Sequence, residues 1–177
     1  TPGLTLNSAA TLTGSGTVNG NVSATAGASI VPGGVGSAST LAFNNNLTLN
    51  GQAFTMDLGV ASGANDRINV GGTLTLNVNS VITLNQTGPL LANGTFTLFT
   101  FASKAGVGNF SLNTTYPGVT LNTTATSVTL TVTGSPLFGA VATWTNLLGG
   151  SWTNSANWLG GVLATNLDSI ADFSTLD

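Results

Sequence analysis

The chain has 177 residues, with 2 Lys or Arg, 5 Asp, and no His, Cys or Glu. Charged residues make up 4% and the net charge is -3, where an ordinary soluble domain carries roughly a quarter of charged residues. This composition excludes Ser-His and Cys-His catalysis, His-metal chemistry, disulfides, and any electrostatic grip on nucleic acid or anionic lipid.

Gly (24), Thr (30), Ser (16) and Asn (20) make up half the chain, yet 41% of residues are apolar and the mean hydropathy is +0.36. Disordered chains pair low hydropathy with high net charge, so this one is expected to fold. Its longest mostly apolar stretch, 136–144, is far short of the roughly 20 residues that span a bilayer, and no membrane insertion is expected. With Thr rather than Met at position 1, the sequence reads as a piece of a longer product.

In chain order, strand-like runs fall near 4–6, 10–13, 17–23, 29–32, 40–43, 47–50, 53–58, 67–70, 73–78, 81–84, 95–101, 110–112, 118–121 and 127–133. Their period is two. Phe54, Met56 and Leu58 alternate with Thr55 and Asp57; Leu74, Leu76 and Val78 with Thr75 and Asn77; Val128, Leu130 and Val132 with Thr129 and Thr131. Such alternation puts the apolar side chains on one face of a strand. Gly, Asn, Thr and Ser interrupt every window of helical length, so almost no helix is expected. Asn19-Gly20, Gly33-Gly34, Asn50-Gly51, Gly71-Gly72 and Asn93-Gly94 punctuate the runs with tight corners.

Short strands and corners fit a sandwich, a barrel or a solenoid. Internal similarity decides between them. Thr-Leu-Asn recurs at 5–7, 48–50, 75–77, 83–85 and 120–122, and recurrence of one strand-corner phrase is the mark of stacked coils. The spacing varies, so coils of unequal length are expected, with corner Asn side chains laddered between them. Few charges guard the strand edges, which implies that neighbouring coils normally cover them.

After Gly134 the composition changes. All three Trp and three of the five Asp follow it. Residues 1–134 therefore read as one solenoid block, and 135–177 as a junction or the start of the next repeat unit. Trp144, Trp152 and Trp158 are the candidates for the unit junction, as an apolar plug in preference to a sugar-stacking platform.

Several phrases resemble the autotransporter-associated β-strand repeat of long bacterial surface and secreted proteins. They are Gly14-Ser-Gly-Thr-Val-Asn-Gly-Asn-Val22, Ser29-Ile-Val-Pro-Gly-Gly34 with Ser39-Thr-Leu41, Asn65-Asp-Arg-Ile-Asn-Val-Gly71, Gly94-Thr-Phe-Thr-Leu-Phe99 with Gly108-Asn-Phe110, and the Trp stretch. The resemblance implies a parallel β-helix, export across a bacterial envelope, and an architectural role.

Chemistry has few candidates. Asp57, Asp66 and Arg67 are the one cluster of opposite charges, of the kind that β-helix lyases use with Ca²⁺; a turn Asp beside a partly exposed Arg is the expected alternative. Asp168 and Asp172 share a strand face. Ser103-Lys104 are adjacent on a strand and so point apart, and Lys104 is the sole candidate for an isopeptide cross-link. The expectation is an all-β, right-handed parallel β-helix or β-solenoid with little or no α-helix. It is expected to be non-enzymatic and without cofactor, a structural segment of an extracellular or cell-surface filament. Its expected partners are itself or adjacent repeat units, end to end. The rival is an adhesin or glycan-binding module with surface glycans as partner; a carbohydrate-active enzyme stands behind both.

Overall fold

The computed structural model describes residues 3–59, 65–87, 93–116, 118–133, 141–159, 163–164 and 170–174. The chain divides into two compact units, Thr1–Gly134 and Ser135–Asp177.

The first unit is a β-solenoid of about five turns, built from stacked parallel coils. Its first coil carries β1 (Leu4–Leu6), β2 (Thr11–Gly14) and β3 (Gly16–Val18); the second, β4 (Val22–Ala24), β5 (Ser29–Pro32) and β6 (Thr40–Phe43). The third starts with β7 (Leu47–Asn50) and β8 (Ala53–Leu58) and runs into β9 (Arg67–Val78). Then come β10 (Ser80–Gln86), β11 (Gly94–Ala105) and β12 (Phe110–Leu112). One sheet stacks β1, β4, β7, β9 and β11 in parallel, with β3 and β6 beside them; the other stacks β2, β5, β8, β10 and β12.

In the first unit the strand positions follow the period-two pattern closely, and two of the departures are informative. The expected run 17–23 is cut at Asn19-Gly20-Asn21, where the chain turns from β3 into β4. The expected runs 67–70 and 73–78 form a single strand, β9, whose first half lies on β6 and whose second half lies on β7. Gly71 and Gly72 sit at that transition because a Cβ there would strike the Asn44 carbonyl oxygen at 2.7 Å or press on the Asn45 backbone and the Asn46 side chain.

Register shows the coils lengthening. Leu4 stands against Val22, Val22 against Leu47, Leu47 against Leu74, and Leu74 against Lys104, steps of 18, 25, 27 and 30 residues. The first and largest increase falls at one corner. Only Ser15 joins β2 to β3, whereas residues 33–39 join β5 to β6, 59–66 join β8 to β9, and 87–93 join β10 to β11.

Alternate residues fill the lumen. Leu6, Ala24, Leu49 and Leu76 form one buried column, and Ile30, Phe54 and Ile82 another. Phe54, Phe99 and Phe110 meet in a buried cluster, with ring centroids 5.2 Å (Phe54–Phe99), 5.9 Å (Phe54–Phe110) and 4.5 Å (Phe99–Phe110) apart. Asn side chains ladder the corner between coils as expected: Asn44 Nδ2 donates to Asn19 Oδ1 (2.7 Å), Asn21 Oδ1 accepts from Asn46 N–H (3.3 Å), and Asn46 Oδ1 accepts from Thr73 N–H (2.8 Å).

The lumen residues also face their backbone groups forward along the stack. Leu4 N–H donates to Asn21 O (2.8 Å), Leu6 O accepts from Thr25 N–H (2.9 Å), and Val22 N–H donates to Asn46 O (2.8 Å). Gly14 O and Val18 O accept from the second coil in the same way. Since successive residues of a strand point their N–H and C=O groups in opposite directions, Thr5, Thr11, Thr13 and Thr17 point theirs away from the second coil.

The two ends of the solenoid differ. At the first coil, β1 pairs only with β4 and β2 only with β5 among the described residues. Leu4 is 37% exposed there, while its column neighbour Val22 is 2% exposed. At the other end the sheet stops being parallel. β14 (Ser127–Val132) runs antiparallel to β11, and β13 (Val119–Thr123) antiparallel to β14. This hairpin ends the parallel run of the first sheet, while the second sheet stays parallel to its last strand, β12; the strand pattern alone did not announce the antiparallel turn.

The second unit is built on β15 (Val141–Thr143) and β16 (Ile170–Asp172), which pair in parallel at a step of 29 residues. Its small core holds Ala142, Trp144 and Trp158, with Leu163, Ala164 and Ala171 packed on it. One 3-10 turn, Ser155–Asn157, is capped by the Asn154 side chain.

Candidate functional site

Asp57 and Asp66 are brought together, and both are wholly buried. The strand β8 carries Asp57 and the residue before β9 is Asp66, paired through Asp66 N–H to Asp57 O at 2.8 Å. The Asp57 carboxylate accepts from Ser37 N–H (2.6 Å) and from Asn85 Nδ2 (2.6 Å). The Asp66 carboxylate accepts from Ser39 N–H (2.7 Å) and Asp57 N–H (2.9 Å).

All four carboxylate oxygens thus hold an N–H of the protein. A general base or a Ca²⁺ ligand needs an oxygen turned toward an open position, and here the oxygens are turned toward the corner segment 37–39 and its neighbours. The pair fastens the second coil to the third. Burial pushes the Asp66 carboxyl up to about 6, with the neighbouring Asp57 charge adding to it, against the lowering effect of the two backbone N–H donors. Arg67 is partly buried, and its Nε has no hydrogen-bond partner among the described residues. Among the described residues, no three Asp side chains come together as a metal site.

The other charged candidates are engaged separately. Lys104 Nζ donates to Gly108 O at 3.2 Å, and the Ser103 hydroxyl pairs with Thr73 at 2.9 Å. The Asp172 carboxylate accepts from Ser174 N–H (2.9 Å), which together with the Ser174 and Thr143 hydroxyls holds it below its ordinary value. Asp168 lies outside the described residues.

The three Trp form one aromatic cluster. Trp158 is edge-on to Trp144 at 5.0 Å and to Trp152 at 4.9 Å, and Phe173 stands 6.0–6.3 Å from all three rings. Their roles diverge. Trp144 and Trp158 are buried in the unit's own core, and their indole N–H groups donate to Asn146 O (2.7 Å) and Trp152 O (2.9 Å). Trp152 is 43% exposed, and Leu147 and Leu148 are exposed too. Of the three, Trp152 alone offers much ring surface to anything else.

Two residues with structural roles escaped the sequence reading. Gln52, 1% exposed, spans the corner between β7 and β8, donating Nε2 to Thr25 O (2.7 Å) and accepting from Asn50 N–H. Asn65 donates to Asp66 O and Thr97 O at 2.7 and 2.8 Å. In a chain this rich in amides, nothing in the sequence sets these two apart.

On the first sheet, Thr5, Asn21, Ser23, Asn46 and Thr48, with Leu4 and Val22, line a shallow groove of about 400 Å³. Comparison with family models, curated proteins and solved structures gives no match to this chain.

Proposed function

We propose that this chain is a structural segment of an exported bacterial surface fibre, built by coil stacking and lengthened end to end. The observation that carries the reading is the parallel stack from β1 to β12, in which the strands of successive coils pair in line and length is added one coil at a time. The likeness of its phrases to the autotransporter-associated repeat supports export and a surface location. A catalytic role finds no support in the Asp57–Asp66 pair, whose oxygens are all occupied by protein donors. Negative-stain imaging of native material tests the reading: uniform fibres are expected, and discrete globules would refute it.

A second reading has its own observation. The groove over Thr5, Ser23 and Thr48 is shallow and uncharged, with hydroxyl and amide groups lining it beside Leu4 and Val22, which suits a neutral glycan. A glycan array distinguishes the two, since a fibre segment alone gives no specific signal.

A further inference from the structure

We infer that the outer face of the first sheet binds a linear, uncharged polysaccharide in extended form, with the sugar chain lying along the stack and crossing the coils. The inference rests on the glycan reading of the groove over Thr5, Ser23 and Thr48. It names the ligand, its direction and the groups that hold it.

The direction comes from register. Thr5 pairs with Ser23, and Ser23 with Thr48. The groove thus takes the same strand position from three successive coils, so it runs across the strands. The column continues further into the solenoid, where Thr48 pairs with Thr75. It ends at the following coil, where Thr75 pairs with Ala105. Neighbouring parallel strands lie about 4.8 Å apart, so one hydroxyl is offered at each step of that length. Only a ligand that repeats along a line uses all of them at once.

The chemistry comes from what these side chains leave free. Elsewhere on the solenoid, outward hydroxyls pair along the stack: Thr11 with Ser29 at 2.8 Å, Thr73 with Ser103 at 2.9 Å, and Thr100 with Asn69 at 2.8 Å. Among the described residues, the hydroxyls of Thr5, Ser23, Thr48 and Thr75 hold no group of the protein.

Asn21 and Asn46 run beside this column, two residues before Ser23 and Thr48. Each is pinned through its Oδ1. Asn21 accepts from Asn46 N–H (3.3 Å), and Asn46 accepts from Thr73 N–H (2.8 Å). Both residues are exposed, and their Nδ2 groups donate to nothing in the protein among the described residues. Each of these two coils therefore presents a fixed amide donor and, about 6.6 Å along the chain, a hydroxyl that donates and accepts. Sugar hydroxyls, which also donate and accept, complement both.

The array is set before the ligand arrives. The ladder bonds hold the Asn side chains, and branching at Cβ restricts Thr48 and Thr75. Little side-chain freedom is then lost on binding. No charged residue lines the groove, so a charged polymer gains nothing over a neutral one.

The test titrates the full chain with cello-oligosaccharides of increasing length, followed by calorimetry. Affinity is expected to rise with length until the ligand covers the four hydroxyls, and then to level. Malto-oligosaccharides, which coil, and polygalacturonate, which is acidic, are expected to bind more weakly. Thr48→Val and Ser23→Ala remove hydroxyls that hold nothing in the protein, so their circular dichroism is expected to match wild type. Each is expected to weaken binding by roughly threefold to tenfold. Asn46→Asp keeps the oxygen that accepts Thr73 N–H and deletes the donor, and the same loss is expected. Thr55→Val, on the outer face of the second sheet, is expected to change nothing.

Tighter binding of polygalacturonate, or affinity independent of length, would overturn the ligand assigned here. Binding that is indifferent to Thr48→Val and Asn46→Asp but lost in Trp152→Ala would remove the site and leave the glycan reading standing, on the second unit. The same holds if cello-oligosaccharides fail while another neutral glycan on the array binds. No binding of any neutral glycan would sink the site and the glycan reading together.

Discussion

Trp158→Ala separates the two units of the chain. The Trp158 side chain is 3% exposed, packs edge-on against two indoles, and donates its N–H to Trp152 O. Removing so large a buried ring costs about 3–5 kcal/mol. The unit it serves spans only Ser135–Asp177. At about 0.05–0.15 kcal/mol per residue, a unit of that size holds roughly 2–6 kcal/mol in all. The loss is comparable with the whole stability, so the second unit is expected to be largely unfolded at 25 °C.

The assay is unusually clean because every Trp of the chain lies in this unit. Intrinsic fluorescence reports the second unit alone, and the far-UV strand signal reports mainly the solenoid. Emission of Trp158→Ala is expected to move red toward that of solvent-exposed indole, while the strand signal and its thermal transition persist. Trp152→Ala, from a ring already 43% exposed, is expected to cost only about 1 kcal/mol and to leave the emission of the remaining pair buried. Blue-shifted emission from Trp158→Ala, or collapse of the solenoid with it, would refute this division of the stability.

Three further outcomes are expected. Asp66 holds its proton up to about 6 in the folded chain against 3.8 in the unfolded one; the folded state thus binds the extra proton between those values, so stability rises as pH falls from about 7 to about 4 and declines as pH climbs back through 6. Urea midpoints measured against pH check this, and Asp66→Asn is expected to flatten that slope. Phe54→Ala, from the centre of the lumen's three-ring cluster, is expected to lower solenoid stability by about 3–5 kcal/mol in urea titrations followed by circular dichroism. Trypsin has only Arg67 and Lys104 to cut, and both lie within strands β9 and β11; native protein is expected to resist it, and urea-unfolded protein to give only peptides 1–67, 68–104 and 105–177 on complete digestion.

The solenoid was legible because stacking repeats one local rule. Alternation around Leu47-Thr48-Leu49 or Leu74-Thr75-Leu76 announces a strand and its buried face without any knowledge of its neighbour. The antiparallel β13–β14 closure was not legible, since Val128-Thr-Leu-Thr-Val132 alternates in the same way as the parallel strands; direction belongs to pairing, which a period of two does not encode. The Asp57–Asp66 cluster was legible as a place but not as a role. Spacing brought the two acids into view, and only the backbone N–H groups of Ser37, Ser39 and Asp57 decide that they act as fasteners. The Trp stretch was legible as an apolar cluster, but not its partition, in which Trp144 and Trp158 enter the second unit's core and Trp152 stays 43% exposed.

The corner that grows from Ser15 alone to the spans 33–39, 59–66 and 87–93 gives the molecule a place to vary. Paired strands hold their ladder whatever the chain does between them, so length added at this corner leaves the lumen columns in line. At its exposed tip, a Cβ added at Gly36 meets nothing within 4 Å, and Val35 is 69% exposed. A foreign peptide spliced between Val35 and Gly36 should therefore be carried on the outside of the solenoid, with the lumen columns undisturbed.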